Sequence, residues 1–130
     1  MLVPHPETCC DFIDVLKAST KYIDGQGLHL AYYIRGDIAR LRVAPAQAPV
    51  RRDELWRTTC FEAFVMTEGD SRYREFNFAP SGAWAAYAFS RYRQGLSPGI
   101  GDLFPGIAVR YSAREMELQA FVSTEFLCPD

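Results

Sequence analysis

Aromatic residues crowd into the stretch from Trp56 to Tyr92, and side chains able to hydrogen-bond through several atoms stand among them. Trp56 is followed by Glu62 with five residues between, and Glu75 and Asn77 alternate with Phe76 and Phe78. Arg52 lies just before this stretch and Trp84 within it. A pyranose has an apolar face of C–H groups and a rim of hydroxyls. An aromatic plane covers the face, while carboxylates, amides and guanidinium groups bond the rim. Trp56, Glu62, Asn77, Glu75, Arg52 and Trp84 are therefore the candidate ligand-binding residues.

Competing structural roles exist for each. A tryptophan heading a strand more often caps a core than stacks on a ligand, and this is the commoner role for Trp56. Trp84, Tyr87, Phe89 and Tyr92 read more readily as packing residues than as a platform. Glu62 shares a strand face with Phe64 and Met66, opposite Phe61, Ala63 and Val65, so it sits on a wet face or in a site. Tyr73, Glu75 and Asn77 form one strip, the usual outer face of an antiparallel sheet.

The elements that must hold these residues are strands. Leu28–Ile34 alternates, with Leu28, Leu30, Tyr32 and Ile34 on one face. Ile38–Val43 alternates too, and Gly36-Asp37 between them predicts a hairpin. Residues 1–11 read as an irregular arm, Phe12–Tyr22 has no clean period, and Ala44–Pro49 is a loop. Cys60–Met66, Tyr73–Ala79 and Trp84–Tyr92 are predicted strands, although alanines in the last also favour helix. Glu68-Gly69-Asp70-Ser71 and Pro80-Ser81-Gly82 are turns, and Ser97–Gly101 is a loop. Ile107–Tyr111 and Met116–Val122 predict a second hairpin around Ser112-Ala113-Arg114. Such spacing indicates a sandwich or barrel.

The 130 residues suit one domain spanning 1–130. With 48% hydrophobic and 23% charged residues the composition is globular rather than disordered. A net charge of −2 leaves no electrostatic footprint for nucleic acid. No apolar run is long enough to span a bilayer, and no signal peptide is read at the N-terminus, so a cytoplasmic location without membrane attachment is expected. Cys9, Cys10, Cys60 and Cys128 form no Cys-x-x-Cys and are expected to be free thiols, with Cys60 a buried small hydrophobe.

Leu55–Phe64 and Tyr73–Tyr87 resemble the bacterial DOMON-like family, itself similar to family 9 carbohydrate-binding modules. The shared features are the Trp-x5-Glu entry at Trp56 and Glu62 and the Tyr-x-x-Phe-x-x-x-Pro strand and turn at Tyr73, Phe76 and Pro80. The resemblance runs from Pro4 onward and is strongest over 52–95. It implies an antiparallel β-sandwich, jelly-roll or immunoglobulin-like in layering, with a ligand cleft walled by aromatics. Trp56 would stack on a sugar ring, Glu62 would bond its hydroxyls and Asn77 would add contacts. Those relatives close the cleft with a second Trp from late in their chains. This chain ends at Asp130, ahead of the closing strands expected of the family, so a sandwich lacking its C-terminal strands is anticipated.

No nucleophile elbow, phosphate loop or metal motif is present. Glu62 and Glu75 are the one pair suited to acid–base work on a glycosidic bond. The DOMON superfamily includes haem binders with His or Met ligands, for which His29 and Met66 are the available pair. The sequence thus indicates a non-catalytic saccharide-binding domain needing no cofactor. The alternatives are a protein–protein interaction or homo-oligomerisation domain acting through an open sheet edge, and a haem-binding domain.

Overall fold

Two patterns of alternating apolar residues dominate the core, and they belong to two different sheets. In the computed structural model, residues 2–3, 5–7, 10–46, 48–89 and 105–127 are described. The strands are β1 (Ile13–Ile23), β2 (Gly27–Gly36), β3 (Val50–Arg51), β4 (Phe61–Met66), β5 (Tyr73–Phe78), β6 (Ala83–Phe89), β7 (Gly106–Tyr111) and β8 (Glu115–Ser123). One sheet has the order β1-β2-β8-β7 and the other β3-β6-β5-β4. The fold is an all-β sandwich of two four-stranded sheets, with no closed barrel. It is antiparallel except where the two-residue β3 runs parallel to β6.

Period-two burial explains the layering. Leu30, Tyr32 and Ile34 from β2 and Met116, Leu118, Ala120 and Val122 from β8 point inward from the first sheet. Phe61, Phe76, Phe78, Trp84 and Ala86 point inward from the second and join them in one core. Tyr32 ties the layers together. Its ring stacks on Phe61 at 4.8 Å between centroids, and its hydroxyl donates to the Glu62 carbonyl oxygen at 3.0 Å. Burial, with the Glu62 charge adding to it, pushes the Tyr32 hydroxyl up to about 12, so it stays a donor. Arg74 also points inward and donates from Nη1 to the Phe126 carbonyl at 2.6 Å.

Two expectations need correction. Ile38–Val43 is not a strand, and no hairpin forms at Gly36-Asp37. Instead Ile38–Arg40 makes a 3₁₀ turn that sinks Ile38 into the core. The donors that a hairpin would use are taken elsewhere: Gly36 N–H by Arg114 O, Asp37 N–H by Phe12 O and Ile38 N–H by Ala113 O. Three alternating apolar residues were too few to outweigh that tertiary pairing. β2 instead forms its hairpin with β1 and pairs on its other side with β8; β1 is hidden in sequence because its register shifts between Ile13 and Val15. β1 is also an edge strand, mostly exposed, with Lys17 and Lys21 outward. The strands expected at 60–66, 73–79 and 84–92 and the 107–122 hairpin are present with ends shifted by a few residues. The part beyond Phe89 and the 97–101 loop lie outside the described residues.

Phe78 is wholly buried where the sheets meet, whereas Phe64 on the opposite face of the second sheet is 61% exposed. Phe78→Ala is expected to lower unfolding free energy by about 3–5 kcal/mol in urea titration. Phe64→Ala should cost less than about 1 kcal/mol. Equal losses at the two positions would contradict the layering.

Candidate functional site

The outer face of the second sheet is built by register. Glu62 pairs with Asn77, which pairs with Ala85; Phe64 pairs with Glu75, which pairs with Tyr87. These side chains therefore share one surface. At its β6 side Ala83 and Ala85 leave room for a covering residue, and Leu55 fills it, packing with Ala79 into a second small core. Leu55 belongs to a 3₁₀ turn, Leu55–Arg57, preceded by Glu54 in the left-handed region at φ 60°. That conformation is uncommon for a non-glycine residue and turns the chain sharply. Leu55 goes down onto the alanines and Trp56 stands out, 65% exposed.

Between this turn and the strands lies a groove of about 550 Å³. Asp53, Glu54 and Trp56 form its wall, and Glu62, Glu75 and Asn77 its floor. Tyr87 and Phe89 extend the floor along β6. Strands hold the floor and small cores hold it from both sides, which suits a pre-formed site.

The wall carboxylates are compensated. Arg51 Nη1 lies 3.1 Å from Asp53 Oδ1, and Arg57 Nε lies 3.2 Å from Glu54 Oε2. The Tyr87 hydroxyl donates to Asp53 at 2.7 Å. That bond, helped by the Arg51 charge and opposed by desolvation, holds the Asp53 carboxyl below its usual range. Tyr87 is pushed up to about 12, first by burial and then by Asp53. Arg57 also sits over the Trp56 ring, 5.5 Å from its centre.

The floor is different. Asn77 Nδ2 donates to Glu75 Oε2 at 3.0 Å. Asn77 is only 4% exposed, and its Oδ1 has no hydrogen-bond partner among the described residues. Neither Glu62 nor Glu75 is paired with a cation among the described residues. Desolvation first, and the Glu75 charge second, raise the Glu62 pKa, although the side chain keeps access to solvent. Cys60 packs beside Leu55, half-buried rather than buried. Its thiol is pushed up to about 11 by burial and by Glu62 and Glu75, so it is a poor nucleophile at neutral pH.

The structure brings Trp56, Glu62, Glu75 and Asn77 into one groove. Trp56 is not the core cap that its strand-heading position suggested. Trp84 and Arg52 lie elsewhere. Trp84 is 3% exposed inside the sandwich because alternation along β6 sends it opposite to Ala83 and Ala85, which corrects its place among the ligand-binding candidates. Arg52 is exposed and outside the groove lining; its backbone N–H donates to Trp84 O at 2.9 Å. Sequence reading missed Asp53 and Glu54, and it took Tyr87 and Phe89 as packing. The alternation Ala83, Ala85, Tyr87, Phe89 carried the signal for the last two. His29 faces outward from the first sheet and Met66 outward from the second, so these two cannot ligate one iron. Among the described residues no cluster of three or more His, Cys, Asp or Glu is placed to hold a metal ion. Comparison with family models, curated proteins and solved structures finds no match to this chain.

Glu62 offers a test of the floor electrostatics. In the unfolded chain a glutamate titrates near ~4.3, while the folded value is higher. The fold thus favours protonated Glu62, so its stabilising effect is full below the unfolded value and is lost as pH rises through the folded one. Glu62→Gln is expected to melt above the parent at about pH 7 and level with it below about pH 4. Melting curves that keep a constant offset across this range would reject the repulsion from Glu75 and desolvation as the cause.

Proposed function

We propose that this chain is a non-catalytic binding domain for a saccharide or similar polyhydroxylated ligand, held in the groove between the Leu55–Arg57 turn and the outer face of the second sheet. One observation carries the reading. An exposed indole, Trp56, stands beside a floor of three side chains that accept hydrogen bonds: Glu62, Glu75 and Asn77. Stacking of a sugar ring on the indole buries C–H groups, and the floor bonds the hydroxyls at the rim. The groove volume falls in the usual range for small-ligand sites, about 300–1,000 Å³. The resemblance to DOMON-like domains and family 9 carbohydrate-binding modules supports the same ligand class.

Calorimetric titration of the folded chain against a panel of mono- and oligosaccharides tests this. Trp56 is exposed, so Trp56→Ala is expected to leave the melting temperature near the parent's while weakening binding about tenfold or more. Absence of saccharide binding by the folded chain, or equal binding by Trp56→Ala, would sink the reading. Glu62 and Glu75 lie diagonally across β4 and β5, as an acid–base pair could. Chromatography of the titrated saccharide is expected to return it uncleaved; cleavage would make the domain a hydrolase.

A second reading rests on β4, which ends the second sheet among the described residues. It exposes Phe64 at 61% and Met66 at 59%. An open edge with apolar side chains favours association with another chain. Light scattering across a concentration series tests it, and a persistent monomer argues against self-association.

A further inference from the structure

We infer that the ligand of this groove is a protonated amino sugar, a pyranose carrying a free ammonium group that is seated on Glu62, Glu75 and Asn77. The inference rests on the saccharide reading above and narrows it by hydrogen-bond polarity and charge.

On the floor acceptors outnumber donors, and one of the two Asn77 amide N–H groups is already given to Glu75. A carboxylate only accepts, so the orientation of the Asn77 amide follows from its neighbour: Nδ2 must face Glu75, and Oδ1 faces away. The Tyr87 hydroxyl is already donated to Asp53. The other polar atoms of these lining residues are mostly acceptors: the Glu62 carboxylate, the outer lone pairs of Glu75 and the buried Asn77 Oδ1. Asn77 Oδ1 is the decisive atom. It is an acceptor in a side chain more than nine-tenths buried, without a partner among the described residues, in a residue that lines the groove. Buried acceptors in folded proteins are ordinarily satisfied, so one without a partner in a groove-lining residue points to a donor that arrives with the ligand.

Charge selects among donors. Asp53 and Glu54 are neutralised by Arg51 and Arg57, but among the described residues Glu62 and Glu75 have no such partner and no basic side chain is part of the lining. Uronates and sugar phosphates would meet two like charges. A neutral sugar would satisfy the acceptors and leave the charge uncompensated. An ammonium group brings three N–H donors and one positive charge to three acceptors and two negative charges. The Glu62 pKa is raised first by desolvation and second by the Glu75 charge, and the second cause is the same repulsion.

The test is a calorimetric comparison with the full chain at about pH 6 in low salt, where an aliphatic amine is protonated. The probes are three β-1,4-linked trisaccharides differing at one position: the glucosamine trimer, cellotriose and the N-acetylglucosamine trimer. The glucosamine trimer is expected to bind at least about tenfold more tightly than the other two, with the advantage shrinking in high salt. Glu62→Gln and Glu75→Gln should each cut the ratio of glucosamine-trimer to cellotriose affinity several-fold, because each removes charge that only the ammonium group answers. Cellotriose binding as well as the glucosamine trimer overturns this inference and leaves the saccharide reading standing. Failure of all three to bind overturns both. A preference untouched by either glutamine variant places the ammonium group elsewhere and also overturns it. Spermidine binding as tightly as the glucosamine trimer would show that the amine alone is read and would overturn the sugar.

Discussion

The register between β4, β5 and β6 is the constraint on which the rest depends. Side chains alternate strictly across a strand, so a slip of one residue would exchange the two faces of the second sheet. Phe61, Phe76, Phe78 and Trp84 would leave the core, and Glu62, Glu75 and Asn77 would enter it. The cost of that exchange is what locks the register. Two phenylalanines wholly removed from water on β5 hold it against two polar side chains that could not be satisfied inside. The same alternation that assembles the core therefore also assembles the groove. Tyr32 strengthens the arrangement by anchoring the Glu62 backbone to the opposite sheet, so that the floor at that point rests on both layers.

Covering the outer face follows from residue size. Ala83, Ala85 and Ala79 present a shallow surface, and a single leucine suffices to seal it. Because Leu55 and Trp56 are adjacent within one tight turn, burying the first turns the second toward solvent. Glu54 accepts the left-handed backbone that this turn requires and is held by Arg57, which in turn lies over the Trp56 ring. The wall is thus braced by contacts among its own residues. Its orientation does not rely on a ligand, which suits a site that pre-exists its occupant.

What could be read from the sequence was whatever period two dictates. The faces of β4 and β5 were legible from Glu62 against Phe61, Ala63 and Val65 and from Glu75 and Asn77 against Phe76 and Phe78, and so was the β7–β8 hairpin, whose turn lies between two alternating runs. β1 was not, since its bulge breaks the period and an edge strand carries little buried signal. The false strand at 38–43 shows the opposite failure. A short alternating run was overridden by carbonyls from Phe12, Ala113 and Arg114, which come from distant parts of the chain. For the groove, Glu62, Glu75 and Asn77 followed from strand faces, whereas the exposure of Trp56 depended on alanines nearly thirty residues later. Trp84 was misplaced among the candidates because residue type was weighed without its parity relative to Ala83 and Ala85.

Parity also explains why the groove has the polarity it has. The inner face of β5 is given to Phe76 and Phe78, with Arg74 answered there by the Phe126 carbonyl, so Glu75 and Asn77 emerge on the outer one. Once there, Asn77 is walled in by neighbouring strands and becomes nearly as buried as the core itself. Its amide can satisfy one side through Glu75, but an amide has both a donor and an acceptor end, and a carboxylate can answer only the donor. An acceptor is then left without a partner among the described residues, as a consequence of pairing asparagine with glutamate rather than with a lysine or arginine. Glu62 adds a second acceptor from the adjacent strand at the position paired with Asn77. A row of acceptors with two uncompensated charges is unfavourable when empty, and each unfavourable element is removed by the same kind of guest, one rich in donors and positive in charge. The chemistry that makes this surface poor as a resting face of a sheet is what the proposed ligand would answer.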